Sequence, residues 1–294
     1  MKGIRTIAER LLAPPDRKIS LKHYDPAWIG KIRNAEAARG LLEEGIETLA
    51  TLQEKLYAQD QYSLLVIFQA MDAAGKDSTI RHVMSGVNPQ GCQVFSFKVP
   101  SSEERDHTYL WRAAKAMPER GRIGIHNRSH YEEVLVPRVH PEILQNQQLP
   151  AAIRNDKDIW KRRFSEINEF ERHLVHNGTI VVKFFLHVSK AEQRRRFIAR
   201  IDDPTKNWKF SAGDVAERAR WKDYMRAYED VFTHTSTKWA PWYIIPADNK
   251  WFMRLAVAGI LCRTLESLDL EFPVLSKPQR KELQAARRML VNER

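Results

Sequence analysis

The chain has 294 residues, of which 43% are hydrophobic, so it can bury a substantial core as one large α/β domain or two small ones. Its 48 Lys and Arg against 37 Asp and Glu give a formal net charge of +11, which favours polyanionic partners, although a solvated basic surface explains the charge equally well. The two cysteines have no metal-ligand spacing, which argues against a disulfide framework or structural zinc and fits a reducing cytoplasm.

The N-terminal stretch MKGIRTIAERLLAPPDRK lacks the sustained apolar region of a signal peptide and a small-residue cleavage site. No apolar run in the sequence approaches the roughly 20 residues that span a bilayer. We therefore expect neither secretion nor membrane insertion.

Residues 1–35 are mixed in composition, and Pro14-Pro15 and Asp25-Pro26 interrupt any long helix. We expect this segment to form an N-terminal arm laid over the domain. From Glu36 to Tyr57, Leu and Ile residues recur at helical spacing, which predicts a helix that faces the core.

Short continuous apolar runs rich in branched residues follow, and such runs are typical of parallel strands buried on both faces. They comprise residues 62–69, 92–99, 121–127, 179–188 and 241–247. Helical patterns at 103–117, 158–176 and 189–200 lie between them. This alternation predicts an α/β fold in which an open parallel sheet is covered by helices on both sides.

Residues 201–238 lie between the fourth and fifth predicted strands and are polar, aromatic and charged. An insertion near the carboxyl ends of the strands is a candidate lid. The alternative is an ordinary amphipathic helix packed beside the sheet, with Val215, Trp221, Met225 and Tyr228 as its buried face.

The first predicted strand runs into a turn of small residues in FQAMDAAGKDST, residues 68–79. A glycine-rich turn between a buried strand and a helix directs backbone amides at a phosphate, with the positive end of the helix dipole behind it. The small residues Ala73, Ala74 and Gly75 let an anion approach the backbone, and Lys76 adds a charge that can reach terminal phosphate oxygens. The sequence therefore predicts a phosphate-binding loop here.

This loop departs from the pattern G-x-x-x-x-G-K-[ST] twice, because Ala70 holds the first glycine position and Asp77 follows the lysine. The order of strand, small-residue turn, Gly-Lys and helix still favours a phosphate site over a structural turn that uses Gly75 only for its backbone freedom. Asp72 would repel phosphates unless a cation lay between them. Magnesium would supply that cation, while a helix N-cap is the alternative role for Asp72. Asp77 could cap the helix, pair with a basic side chain or orient a metal-bound water.

A second candidate group is GRIGIHNRSHYEEV, residues 121–134. Here an apolar strand ends in Asn127-Arg128 and brings a neutral oxygen ligand and a guanidinium to the edge where the loop lies. Arg128 can hold phosphate oxygens in a bidentate fork. Glu132 and Glu133 begin the next predicted helix, where a role in complementing the helix dipole is the alternative to a site role.

His126 and His130 are four residues apart and raise the question of a metal site. The pair straddles a junction between strand and loop instead of sharing one helix face. This placement disfavours zinc.

A basic series spans the end of one helix and the start of the candidate lid. In nucleotide-transferring enzymes, lid cations close over the phosphates and neutralise the charge that develops during transfer. A solvated helix face accounts for Arg194 and Arg195, and Arg196 follows them in the series. The last three members, Arg200, Lys206 and Lys209, lie near Pro204 and Trp208 and are better placed to be directed at phosphate.

Four blocks, residues 68–91, 121–141, 183–211 and 235–258, resemble the polyphosphate kinase 2 family. The resemblance runs from about Leu21 to about Pro273 and is closest to the single-domain branch that acts on both AMP and ADP. It implies one P-loop domain over residues 1–294 with a fold similar to thymidylate kinase, a three-layer α/β/α sandwich with a helical lid. It also implies reversible transfer of the terminal phosphoryl group of inorganic polyphosphate to ADP and AMP.

The resemblance further implies a cofactor, partners and site residues. The cofactor is Mg²⁺, with Mn²⁺ as a second candidate, and the enzyme is a cytoplasmic homodimer or homotetramer that uses adenine nucleotides, with guanine nucleotides left open. The implied catalytic residues are Asp72, which holds the metal, Lys76, Arg128 and the lid arginine Arg200. Phosphate binding falls on Ala73, Ala74, Gly75, Lys76, Asp77, Ser78, Lys206 and Lys209, and nucleotide binding on Asn127, Arg128 and Glu132, the last of which marks the AMP-competent branch.

Three positions depart from the family pattern. Thr108 stands where an acidic residue is usual, so the role of that side chain is missing or taken by Asp106. His126 stands where phenylalanine is usual, which bears on packing under the second motif. Asn127 replaces the aspartate of other branches, which leaves Asp72 as the surest carboxylate for magnesium.

Two other functions fit parts of the sequence. An ATP-dependent nucleoside monophosphate kinase would share the fold but would be expected to carry a fuller G-x-x-x-x-G-K-[ST] loop. A nucleic-acid-binding protein would use the basic charge together with stacking tryptophans. The candidate tryptophans are interleaved with apolar positions, which favours core packing, and we expect no nucleic-acid partner; they are Trp208, Trp221, Trp239, Trp242 and Trp251.

Overall fold

The structure, a computed structural model, describes residues 2–293 and the side chains of residues 7–208 and 210–293. Within these residues the strands are β1 Ser63–Gln69, β2 Cys92–Ser96, β3 Ile123–Asn127, β4 Thr179–His187 and β5 Trp242–Pro246. They form one sheet in the order β2-β3-β1-β4-β5, and each neighbouring pair is parallel. The predicted α/β class with a parallel sheet is confirmed.

The helices are α1 Lys2–Leu11, α2 Ala35–Gln59, α3 Lys76–Val83, α4 Ser102–Asp106, α5 Trp111–Lys115, α6 Val136–Val139, α7 Pro141–Gln145, α8 Ala151–Arg154, α9 Ile159–His176, α10 Lys190–Ile201, α11 Ala212–Glu217, α12 Trp221–Thr235, α13 Lys250–Glu266 and α14 Lys277–Asn292. One helical layer is built around α13, which packs against α1, α2 and α3. The other layer contains α9, which packs on β4 and on α12.

Burial follows the position of each strand in the sheet. All seven residues of β1 are buried, because β1 lies between β3 and β4 with helices on both faces. The prediction of two-sided burial is wrong for β2, an edge strand in which Val94 is 52% exposed. Strand β5 is also an edge strand, yet the ring of Trp242 is fully buried against Tyr131 and Phe232. The chain after α1 covers the edge of this strand, with the Ala13 amide donating to the Trp242 carbonyl at 2.9 Å.

The segment predicted as one helix over 103–117 is two short helices, α4 and α5. The break falls at His107, whose backbone is extended. The candidate lid, 201–238, likewise divides into two parts. Its second part contains α12, whose residues Tyr228 and Phe232 are buried in the core, whereas in the first part Val215 is 48% exposed.

Helix α14 follows the last core helix and has no counterpart among the sequence predictions. All of its residues are exposed. Its first turn is held by a capping box in which the Ser276 side chain and Gln279 bond each other's backbone amides. None of the helices between residues 2 and 293 combines the length and the apolarity that crossing a bilayer requires.

Candidate active site

The turn after β1 has the backbone of an anion cradle. Ala73 and Gly75 both adopt left-handed conformations, with φ of 59° and 108°. The φ of 108° at position 75 is one that residues with a side chain rarely adopt, and a Cβ atom there would also lie close to Met253 Cε, at 3.2 Å, so glycine suits this position. Helix α3 begins at Lys76, directly after this turn. Its first amides have no intrahelical acceptors and are available to an anion, with the helix dipole behind them.

Lys76 lies inside this turn and is almost fully buried. Its Nζ donates to the Ala70 carbonyl at 2.9 Å, so the side chain folds back across the loop. Burial lowers the pKa of Lys76, and the nearby Asp72 carboxylate opposes that shift. A buried ammonium beside the first amides of α3 gives this turn a concentrated positive charge, which is the electrostatic environment that an anion favours.

Asn127 and Arg128 come from the end of β3, beside the loop that follows β1, as the parallel arrangement predicts. The Arg128 amide donates to the Phe68 carbonyl at 3.0 Å, and its guanidinium donates to Asp72 Oδ1 at 2.8 Å. The Asn127 amide group donates to Asp77 Oδ1 at 2.7 Å. Arg128 has a φ of 64°, an uncommon conformation for a residue with a side chain.

Glu132 lies in the 3₁₀ helix His130–Val134, which begins at Ser129 as N-cap. Burial raises the pKa of Glu132, while the positive charges of Arg128 and Lys76 oppose the shift. Its carboxylate thus belongs to the same electrostatic cluster as the loop. Glu133 instead turns away from the loop and accepts a hydrogen bond from Gln147 at 2.8 Å.

A cleft of about 1400 Å³ opens beside this cluster and is large enough for a nucleotide. Asp72, Arg128 and Glu132 form part of its wall, and α12 contributes Tyr224 and Tyr228. Asp106 and Thr108, the two positions at which the sequence raised the question of an acidic side chain, also line this cleft.

The basic series at the candidate lid is dispersed in the structure. Arg200 lies 3.6 Å from Asp214 and stacks over the Phe197 ring. Lys206 bonds Asp203 within its own turn, and hydrogen bonds from Lys206 and Thr205 lower the pKa of Asp203 to about 2. The side chain of Lys209 lies outside the described residues.

Two side chains of α10 hold the loop: Arg196, which the sequence presents only as one member of the basic series, and Gln193, which the sequence predictions did not include. The Arg196 guanidinium donates to the carbonyls of Ala73 (3.1 Å) and Ala74 (2.6 Å). Gln193 Nε2 donates to the Asp72 carbonyl at 2.9 Å. No local signal separates Arg196 from Arg194 and Arg195, because its role depends on which face of α10 meets the loop.

His126 is fully buried and packs edge-on against the rings of Phe95 and Phe97. Its Nε2 donates to the Ala116 carbonyl at 2.9 Å. Burial lowers the pKa of this imidazole to about 4. The side chain therefore packs as a neutral aromatic ring between Phe95 and Phe97.

A 2-3-1-4-5 parallel sheet with a Gly-Lys turn after its central strand defines a P-loop kinase type of phosphotransferase. The model of the family "Polyphosphate kinase 2 (PPK2)" matches residues 32–273. The chain belongs to this family.

Similar proteins agree with this assignment. The chain is 54% identical over 251 residues to an "ADP-polyphosphate phosphotransferase" of Rhodopseudomonas palustris, covering 85% of this chain and 87% of the relative. It is 45% identical over 263 residues to an "AMP/ADP-polyphosphate phosphotransferase" of Meiothermus ruber, covering 88% and 93%. The crystal structure of polyphosphate kinase 2 from Arthrobacter aurescens TC1 superposes with a TM-score of 0.86 at 39% identity, covering 96% of this chain and 98% of the other.

Proposed function

We propose that this enzyme reversibly transfers the terminal phosphoryl group of inorganic polyphosphate to ADP and to AMP. The observation that carries the proposal is the cluster of Lys76, Asp72 and Arg128, of which Asp72 and Arg128 line a nucleotide-sized cleft. The names of the similar proteins support the same donor and acceptors.

In this proposal the backbone amides of residues 73–78 and the ammonium of Lys76 hold the phosphoryl group that is transferred. Arg128 and Arg200 stabilise the charge on its equatorial oxygens. Phosphoryl transfer depends mainly on positioning and charge neutralisation, which such a set of fixed cations and amides provides. When the phosphoryl group binds, the Arg128 guanidinium either leaves Asp72 for the phosphate oxygens or bridges Asp72 and the phosphate.

The oxygen donors around the loop fit a hard divalent cation. Asp72 and Asp77 present carboxylates, and among the described residues no cluster of three His, Cys, Asp or Glu forms a separate metal cage. Mg²⁺ is typically bound by one or two carboxylates together with substrate phosphates, and Mn²⁺ accepts the same ligands. We therefore assign the metal to Asp72, where it would offset the charge of the phosphates.

The acceptor nucleotide would lie in the cleft, with Asn127, Arg128 and Glu132 at its phosphate end. The exposed first part of the 201–238 segment would act as the lid, with Lys206 and Lys209 along the path of the polymer. Helix α12 would remain fixed, because its buried face belongs to the core. In this reading the whole chain is one domain with residues 1–35 as an arm.

We also propose that the enzyme is a homo-oligomer in which α14 packs on α2 of a second copy. Helix α14 exposes apolar side chains, and its charged residues are mostly basic, whereas those on the outer face of α2 are mostly acidic. The apolar side chains are Leu283, Met289 and Leu290. The basic residues are Lys277, Arg280, Lys281, Arg287 and Arg288, and the acidic ones are Glu36, Glu43, Glu44 and Glu47. Light scattering of the full chain and of a Leu283→Glu/Leu290→Glu variant tests this: an unchanged mass would contradict it.

Neither of the two other functions, an ATP-dependent nucleoside monophosphate kinase or a nucleic-acid-binding protein, gains support. The similar proteins are named for transfer between polyphosphate and nucleotides, not for an ATP-dependent kinase. Of the tryptophans considered as stacking platforms for nucleic acid, Trp242 is fully buried and Trp221 and Trp251 pack against the core. Only Trp208 and Trp239 of that set are exposed among the described residues.

Incubating the purified enzyme with Mg²⁺, polyphosphate and either ADP or AMP, without ATP, tests the proposal directly. We expect ATP to form from ADP, and ADP to form from AMP. Lys76→Ala should abolish transfer while the circular dichroism spectrum stays unchanged. Retained turnover in Lys76→Ala, or no product from the intact enzyme, would refute the assignment. Initial rates with AMP, ADP, GMP and GDP would then rank the acceptors.

A further inference from the structure

A fully buried polar cluster lies behind the 3₁₀ helix that carries Glu132. Lys183 of β4, Glu171 of α9 and Tyr131 all have no exposed surface. Lys183 Nζ donates to Glu171 Oε2 at 2.5 Å, to the Tyr131 hydroxyl at 2.8 Å and to the Thr235 carbonyl at 2.8 Å. The Tyr131 hydroxyl in turn donates to Glu171 Oε1 at 2.8 Å. Each hydrogen-bonding group of this triad therefore has a partner.

The geometry requires the charged form of the lysine. Three acceptors around Nζ need three N–H donors, and only the ammonium has them. Burying an ammonium and a carboxylate together incurs a large desolvation penalty, and apolar replacements of such pairs are often neutral or stabilising. Stability alone is thus a weak reason for an ion pair in the middle of this core.

The cluster is connected to the active site through the backbone of residues 128–132. Tyr131 is next to Glu132 and three residues after Arg128. Its amide donates to Ser129 Oγ at 3.2 Å, and that hydroxyl also accepts a hydrogen bond from Gln69 at 3.1 Å. Arg128 itself is held in a left-handed conformation, which persists only where the surrounding structure fixes the backbone on both sides.

Strand pairing fixes the first side of this turn, since the Arg128 amide bonds Phe68. The second side is fixed by Tyr131, whose ring packs edge-on against Trp242 and whose hydroxyl is clamped by the ion pair. We infer that Lys183 and Glu171 are positioning residues, which act through Tyr131 to hold Arg128 and Glu132 in the geometry that phosphoryl transfer needs. This inference rests on the proposed roles of Arg128 and Glu132.

Tyr131→Phe tests the inference with the smallest change, because it removes only the clamped hydroxyl. Misplacing a catalytic group by a fraction of an ångström to one ångström lowers turnover by about ten- to a hundredfold. We expect kcat to fall by such a factor while KM for polyphosphate stays unchanged, since the loop at Lys76 is held by α10 instead. A purely structural role would lower the thermal midpoint and leave kcat and KM of the folded enzyme as they were.

Ser63→Ala is the matched control. It removes another buried side-chain hydrogen bond, the 3.0 Å contact of Ser63 with Thr179, at the amino end of β1 and far along the sheet from the loop. It should lower the thermal midpoint and leave kcat unchanged. An equal loss of kcat in both variants would overturn the inference.

A second variant separates positioning from stability if Tyr131→Phe proves unstable. The triple change Tyr131→Phe/Glu171→Leu/Lys183→Met removes the cluster without leaving a buried charge unpaired. We expect a folded protein with reduced kcat. A triple variant that turns over like the unchanged enzyme would refute a positioning role.

A mutant cycle that removes both Arg128 and Glu132 distinguishes failure of this inference from failure of the proposed function. If Tyr131 acts through these two residues, adding Tyr131→Phe to Arg128→Ala/Glu132→Gln should reduce the residual rate no further. If the two effects multiply, the positioning inference is wrong and the role of Arg128 stands. If Arg128→Ala alone retains full turnover, the proposed role of Arg128 is wrong.

Discussion

Burial of His126 makes the free energy of unfolding of this protein depend on pH. Burial lowers its pKa from the ordinary value of 6.5 to about 4, and Nδ1 has no hydrogen-bond partner among the described residues. The unfolded chain therefore binds more protons than the folded protein between these two pKa values. The free energy of unfolding should fall as the pH falls through this window, and the contribution of neutral His126 should be fully present above pH 6.5.

The change His126→Phe removes this titration and keeps an aromatic ring against Phe95 and Phe97. A shift from 6.5 to about 4 corresponds to a loss of roughly 2 kcal/mol at about pH 5 and almost none at about pH 7.5. His187, whose pKa is also lowered to about 4 by burial, should add a similar loss in both proteins. The unchanged protein should therefore lose more stability than the variant between about pH 7.5 and about pH 5.

Urea unfolding of both proteins at the two pH values measures this effect. The comparison at neutral pH isolates packing and the lost hydrogen bond to Ala116, which should cost about 1 kcal/mol. The difference between the proteins should then move by roughly 2 kcal/mol in favour of the variant at the acidic pH. A difference that stays constant with pH would refute the assignment of a neutral, desolvated imidazole at position 126.

The remaining predictions concern α10 and the polymer. Arg196→Lys should lower kcat/KM by about tenfold or more, because an ammonium lacks the planar fork with which the guanidinium reaches several carbonyls at once, whereas the same change at the exposed Arg195 should have little effect. Arg200→Ala should lower kcat by about a hundredfold or more if it neutralises the transition state, and Arg194→Ala, on the solvated face, should not; equal rates would contradict the lid role. KM for polyphosphate should rise steeply with salt and KM for AMP much less, and parallel curves would show that the basic surface does not bind the polymer.

Much of the fold could be read from local pattern. All five apolar runs became strands, and four of these strands are buried as expected. The helix predicted from Glu36 to Tyr57 extends from Ala35 to Gln59. The edge position of β2 could not be predicted from the sequence, because an apolar run has the same pattern whether the strand pairs with one neighbouring strand or with two. Helix α14 was not predicted, and its apolar side chains Leu283, Met289 and Leu290 are exposed in the structure.

The sequence by itself predicted the turn after β1 and its Gly75-Lys76 pair, because these features depend on backbone conformation and on charges a few residues apart. It also placed Asn127 and Arg128 beside that loop, since parallel strands end at the same edge. Only the tertiary structure decided that Arg196 holds the loop and that Lys183 and Glu171 clamp Tyr131. Those contacts join residues far apart in the chain, and their partners depend on how helices and strands are rotated against each other, which no local pattern specifies.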